Sequence, residues 1–161
     1  MKTGTLRHAI RFMIAERLVF VDTNVLIYAR DPIAGDKHGR ARLWLDRLAP
    51  GDHMLLNLQV LNELTRWMLR KEKASIAVAR DAVEMLREFG ETSLSPEDVD
   101  LAWDVREKLG YQWFDCLLIA SAANAGSTHF LSEDMGHETR YGSLTIINPF
   151  RVDPDAFLSK N

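Results

Sequence analysis

Short apolar runs alternate with longer stretches of helical periodicity along most of this chain. Leu18-Val19-Phe20-Val21 is a run of strand formers that stops at Asp22-Thr23-Asn24 and leads into Val25-Leu26-Ile27-Tyr28, the pattern of a buried strand feeding a helix. Asp31 through Gly39 is rich in proline, glycine and charge and reads as a loop, after which Ala41, Leu43, Trp44, Leu45 and Leu48 resume a helical period that Pro50-Gly51 ends. Met54, Leu55 and Leu56 mark a second strand within 53–57. A helix through Val60, Leu61, Leu64, Trp67 and Met68 follows, and another over Ala74 to Phe89 closes at Gly90. Thr92 to Ser95 reads as a short strand. Ser95-Pro96-Glu97-Asp98 is a helix start, with proline at the first helical position and carboxylates in the first turn, and that helix should end at Gly110. Phe114 to Ala125 is an apolar, alanine-rich helix. Thr128 to Leu131 and Leu144 to Ile147 are strands, the last punctuated by Asn148-Pro149.

Strands alternating with helices imply an α/β fold with a parallel sheet covered on both faces and right-handed crossovers. At 161 residues the chain can bury one sizeable core, so a single domain over 18–150 is expected. Residues 1–17 read as an extension or helical arm with Leu6, Ile10, Met13 and Ile14 at helical spacing, although translation could equally begin at Met13; 151–161 reads as a tail. The arm has basic residues but no secretory cleavage site. The single cysteine, Cys116, cannot form an intramolecular disulfide, and no stretch is long and apolar enough to span a membrane, which points to the cytoplasm. A net charge of -3 supplies no global basic field, so binding of nucleic acid must rest on a local patch.

The chemistry lies in the carboxylates. In a parallel α/β sheet the strand C-termini and the starts of the following helices share one edge, where ligand sites collect. Asp22 directly follows the first strand and Asp134 lies just beyond the Thr128 to Leu131 strand. Glu63 is near the beginning of one helix and Asp115 opens another, so all four should meet at that edge. Each has a plainer role open to it: Asp22 as a helix cap, Asp115 as a dipole partner, Asp134 as a turn residue, Glu63 as an ion pair with Arg66 or Arg70. Convergence favours the site. Like charges about 4 Å apart repel by roughly 4 kcal/mol at an effective dielectric of 20, and an all-oxygen cluster is best compensated by magnesium or manganese. The five histidines show neither metal-ligand spacing nor an acid–base pairing.

Four segments in order resemble the motifs of PIN domains: Phe20 to Tyr28 around Asp22-Thr23-Asn24, Leu61-Asn62-Glu63-Leu64, Trp113 to Ala122 around Asp115, and Phe130-Leu131-Ser132-Glu133-Asp134. The resemblance runs from about Val19 to Phe150. It implies a three-layer α/β/α fold with a central parallel sheet, an acidic site of Asp22, Glu63, Asp115 and Asp134, and Asn24 and Ser132 as polar neighbours that steady ligands or the attacking water. Ser132 stands where the family more often has threonine, and Cys116 where alanine is common. The compact size and Asp36-Lys37-His38 resemble the VapC toxin branch, which implies a metal-dependent endoribonuclease, a VapB-like antitoxin partner and a homodimer. Hydrolysis by a metal-activated water would leave 5′-phosphate and 3′-hydroxyl ends.

Two other readings compete. A phosphatase of haloacid dehalogenase type would need a second aspartate where Asn24 stands, and a noncatalytic RNA-binding module of the same fold would not need the acidic quartet. Arg66, Arg70, Lys71 and Lys73 form the densest basic stretch. They could contact RNA phosphates, or simply be a solvated helix end.

Overall fold

The structure, a computed structural model, describes residues 17–159; the expected N-terminal arm, up to position 16, lies outside the described residues. Strand β1 (Val19–Val21) is followed by helices α1 (Thr23–Arg30) and α2 (Asp36–Leu48), strand β2 (Met54–Leu55), and helices α3 (Leu58–Trp67), α4 (Ile76–Arg87), α5 (Pro96–Leu109) and α6 (Trp113–Asn124). Strands β3 (His129–Leu131), β4 (Arg140–Tyr141) and β5 (Leu144–Ile147) and helix α7 (Pro154–Ser159) complete the order. The five strands lie in the order β2-β1-β3-β5-β4, parallel except for β4 against β5.

All three residues of β1 are buried. Successive strand side chains point to opposite faces, so the sheet is covered on both sides, which gives three layers. Phe20 and Phe130 stack across β1 and β3 with ring centroids 5.2 Å apart. Trp44 is fully buried, and its indole N–H donates to the Pro149 carbonyl at 2.9 Å, which removes the cost of burying that donor.

The structure departs from the sequence reading in four places. Helix α2 begins at Asp36 rather than Ala41, because Asp31 caps a short 3-10 turn at Pro32–Ala34 and Gly35, at φ 62, redirects the chain. Thr92 to Ser95 is not a strand. Leu56 N–H to Phe89 O and Leu58 N–H to Thr92 O tie its neighbourhood to the segment after β2 without making a regular ladder, and Thr92 and Ser93 are exposed while Leu94 packs against the core. The close approach also explains Gly90: a Cβ there would lie 1.7 Å from the Leu56 carbonyl oxygen. The sheet gains the short antiparallel strand β4, joined to β5 by Gly142-Ser143 with Gly142 at φ 57, a conformation suited to a two-residue hairpin. Finally, 154–159 is helical and packed: the Phe157 ring lies 5.3 Å from the Trp44 ring, and the Arg17 guanidinium lies 5.1 Å from its centroid.

Helix α3 does not stop at Trp67. It continues as a π-helical segment over Met68–Glu72 and ends at Lys73 in the left-handed region, φ 56. No helix among the described residues is long and apolar enough to cross a membrane.

Candidate active site

The chain runs from β1 outward to β2 and returns to β3 on the other side of β1, so the point where strand order reverses lies between β1 and β3. Ligands of open α/β sheets bind at the carboxyl ends of strands at such a switch point. Asp22 follows β1 there, and Ser132-Glu133-Asp134 follows β3 in the adjacent register, Val21 opposite Leu131.

Asp22 is buried and holds the N-terminus of α1. Its Oδ1 accepts from the Thr23 N–H at 2.7 Å, and its Oδ2 accepts from the Ser132 hydroxyl at 2.7 Å and the Asn24 amide at 2.9 Å. The same Asn24 nitrogen lies 3.1 Å from both Ser132 Oγ and Asp134 Oδ2, and its carbonyl oxygen accepts from the Glu133 N–H at 3.4 Å. Asn24 therefore links the ends of the two central strands. Ser132 is fully buried and also receives the Asp134 N–H at 3.3 Å.

Glu63, on the second turn of α3, accepts from the Thr23 hydroxyl at 2.8 Å and from the Gln59 amide at 3.2 Å. Asp115, in the first turn of α6, is half-buried, and its carboxylate makes no hydrogen bond among the described residues. Burial pushes the Asp22 carboxyl up from 3.8 to about 7, against the hydrogen bonds from Ser132 and Thr23, and Asp115 and Glu63 push in the same direction. Asp115 is raised as well, first by burial and then by the charges of Asp134 and Glu63.

The structure thus brings Asp22, Glu63, Asp115, Asp134, Asn24 and Ser132 into one neighbourhood. Among the described residues no lysine or arginine pairs with any of the four carboxylates, and no three of them are drawn close enough to chelate an ion as they stand. The donor set is all oxygen, partly buried and mutually repelling, which fits a hard divalent cation such as magnesium or manganese.

Arg66, Arg70, Lys71 and Lys73 are exposed along the end of α3 and its π extension, with no ion pair among the described residues. They are not part of the acidic hydrogen-bond network. His38, His53, His129 and His137 bond elsewhere, to Tyr28 O, Arg17 O, Thr128 Oγ1 and the Asn148 N–H respectively.

Sequence reasoning missed Thr23 and Gln59 as the partners of Glu63. Gln59 lies four residues before Glu63, a helical pairing distance that was available to find it. It also missed the Lys37–Glu133 ion pair, which sits beside Asp134 with the ammonium 5.0 Å from the Tyr28 ring and 5.4 Å from the Phe150 ring.

A family model described as PIN domain matches residues 19–140. Among solved structures, a toxin–antitoxin complex from Klebsiella pneumoniae is similar at 14% identity and a TM-score of 0.57, over 81% of this chain and 97% of that one. VapBC2 from Rickettsia felis, bound to a DNA fragment from its promoter, is similar at 15% identity and 0.56, over 80% and 96%. VapC20 from Mycobacterium tuberculosis, a sarcin–ricin loop cleaving toxin, is similar at 22% identity and 0.51, over 70% and 86%. These likenesses are of fold. No curated protein sequence matches the chain.

Proposed function

The chain belongs to the PIN domain family, and from that premise we propose that it is a magnesium- or manganese-dependent endoribonuclease, the toxin of a VapBC-type pair. The observation that carries this reading is the gathering of Asp22, Glu63 and Asp134 at the strand ends through Thr23, Asn24 and Ser132, with no lysine or arginine paired to them among the described residues. Asp22, Asp115 and Asp134, with Glu63, would hold the cation. When bound, it would neutralise charge on a phosphate and lower the pKa of water. The chain's own part is orientation. Ser132 and Asn24 fix one oxygen of Asp22 and the Thr23 N–H fixes the other, while Thr23 and Gln59 hold Glu63. Asp115 keeps both oxygens available for a ligand. Arg66, Arg70, Lys71 and Lys73 would take RNA phosphates.

The test is the chemistry of the ends. Hydrolysis should leave 5′-phosphate and 3′-hydroxyl termini, and an oligonucleotide with hydrogen in place of the scissile 2′-hydroxyl should still be cut. Cyclic 2′,3′-phosphates, or cleavage that persists in chelator, would overturn the mechanism; no histidine among the described residues joins the acidic network to support that alternative.

An antitoxin partner is supported by an apolar groove of about 280 Å³ between α1, α2, α3 and α4, lined by Leu26, Ala29, Leu45, Leu64, Ala82 and Met85. A helix laid in the groove and extended beyond it would be expected to bring an arginine to the acidic cluster. Copurification with the product of an adjacent small gene is expected, and Met85→Asp, which places a charge in the groove at a residue 74% exposed, should weaken the complex at least tenfold. An unaffected complex would remove the groove from the interface. Homodimerisation is part of the same proposal and is measured by sedimentation.

A further inference from the structure

We propose that Tyr111 is a positioning residue for the acidic cluster, whose hydroxyl holds the loop carrying Asp134 against the start of the helix carrying Asp115. The inference rests on the proposed cation site and deepens it, by naming what sets the separation of two of its ligands. Tyr111 stands four residues before Asp115, just ahead of the α6 N-cap Gln112, and Gly136 stands two residues after Asp134. The Gly136 N–H donates to Tyr111 Oη at 3.0 Å, and the same hydroxyl lies 3.5 Å from Thr139 Oγ1, farther along that loop. The approach is close enough to need a glycine: a Cβ at position 136 would stand 3.1 Å from Tyr111 Oη and 2.6 Å from Thr139 Oγ1.

Each side of this contact is anchored. The Tyr111 carbonyl accepts from the Arg106 guanidinium on α5 and from the Cys116 thiol on α6, the latter at 3.4 Å, so the Tyr111 backbone is tied to the first turn of α6 that carries Asp115. On the loop side, the near end is tied to the sheet: Asn24 accepts from the Glu133 N–H and donates to Asp134 Oδ2, and the Glu133 carboxylate pairs with Lys37. Tyr111 holds the far end. Asp134 is therefore suspended between a fixed point at the strand ends and a fixed point at the entry to α6. Charge explains why a tether is useful there. The charge of Asp134 acts on Asp115, like charges separate unless something holds them, and the Asp115 carboxylate makes no hydrogen bond among the described residues. A divalent cation binds more tightly to ligands already held near one another, because less of its binding free energy goes into gathering them.

The experiment titrates the full chain with manganese in a calorimeter and follows cleavage of an RNA oligonucleotide across manganese concentrations. Tyr111→Phe keeps the ring and removes only the hydroxyl. It should raise the manganese dissociation constant about 3- to 10-fold, the factor that one hydrogen bond allows. Cleavage should fall by a like factor at limiting manganese and recover the parental rate at saturation, as when binding alone is weakened. The melting temperature in chelator should stay within about 4 °C of the parent. Gly136→Ala, which wedges the same contact from the loop side, should weaken manganese binding in the same direction, whereas Tyr141→Phe, whose hydroxyl donates to Asp104 on α5, should leave it unchanged. An unchanged dissociation constant in Tyr111→Phe overturns the proposal, as does a loss of rate that saturating manganese does not restore. If the parent takes up no manganese, or Asp115→Asn binds it as tightly as the parent, the cation-site reading falls and this inference with it.

Discussion

Asp115→Asn is expected to lower RNA cleavage about a thousandfold or more while leaving the melting temperature within a few degrees of the parent. The carboxylate is half-buried and makes no hydrogen bond among the described residues, so its replacement removes charge without breaking a structural contact. A thousandfold corresponds to about 4 kcal/mol of transition-state stabilisation, within what a bound cation supplies to a phosphoryl centre. Asp134→Asn should behave alike in activity, since among the described residues its carboxylate accepts only from Asn24. Single-turnover cleavage with purified proteins decides the matter. Parental rates in the Asp115 variant would remove it from the site, and a collapse of the fold would mean its role is structural.

The second expectation concerns the cation-free protein. The folded Asp22 carboxyl titrates at about 7 against 3.8 for the ordinary group, so the folded state holds its proton more tightly than the unfolded state does. The corresponding stability is fully present below about pH 4 and is lost as pH rises through about 7; the loss is at most about 4 kcal/mol. Asp115, also raised, adds in the same direction. In chelator the melting temperature should therefore fall between pH 5 and pH 8, and Asp22→Asn should flatten that fall. Asparagine turns an amide nitrogen toward one set of donors and gives up one or two hydrogen bonds worth about 1 kcal/mol each. A net gain of about 2 kcal/mol remains at pH 8, or roughly 4–8 °C. Adding magnesium at 100 times its dissociation constant should return about 2.7 kcal/mol to the parent and little to the variant. An identical pH slope in the two proteins would show that Asp22 does not carry this charge strain.

The strands and the acidic positions were readable because both leave strong local marks. A run such as Val19-Phe20-Val21 ending at Asp22 announces a buried strand and the edge at which it stops, and Ser95-Pro96-Glu97-Asp98 announces a helix start, which the structure completes as a capping box. What stayed hidden depends on partners far away in the chain. Thr92 to Ser95 runs beside the segment after β2 and bonds it through the Thr92 carbonyl without entering the sheet ladder. Residues 154–159 look like a tail until Trp44 supplies the surface that Phe157 covers. Arg140-Tyr141 is too short to show a period, and only Gly142 hints at its hairpin. Within the site the acids were visible as types, but Thr23 as the holder of Glu63 is a contact across 40 residues that no spacing announces.

The placement of β1 at the middle of the sheet, with Asn24 tied to Asp134 across 110 residues, has a consequence in time. At about 5–20 residues per second, a ribosome needs roughly 5–20 s after making Asn24 before it makes the strand that completes the other half of the cluster. Throughout that interval the nascent chain carries Asp22 without Asp134, gaining Glu63 and Asp115 on the way, and the sheet has no β3 to seat the β1 edge. If the chain is the ribonuclease proposed above, it would stay inert toward the message and ribosome producing it until β3 and Asp134 have been made, and a copy terminated before them would never acquire that chemistry.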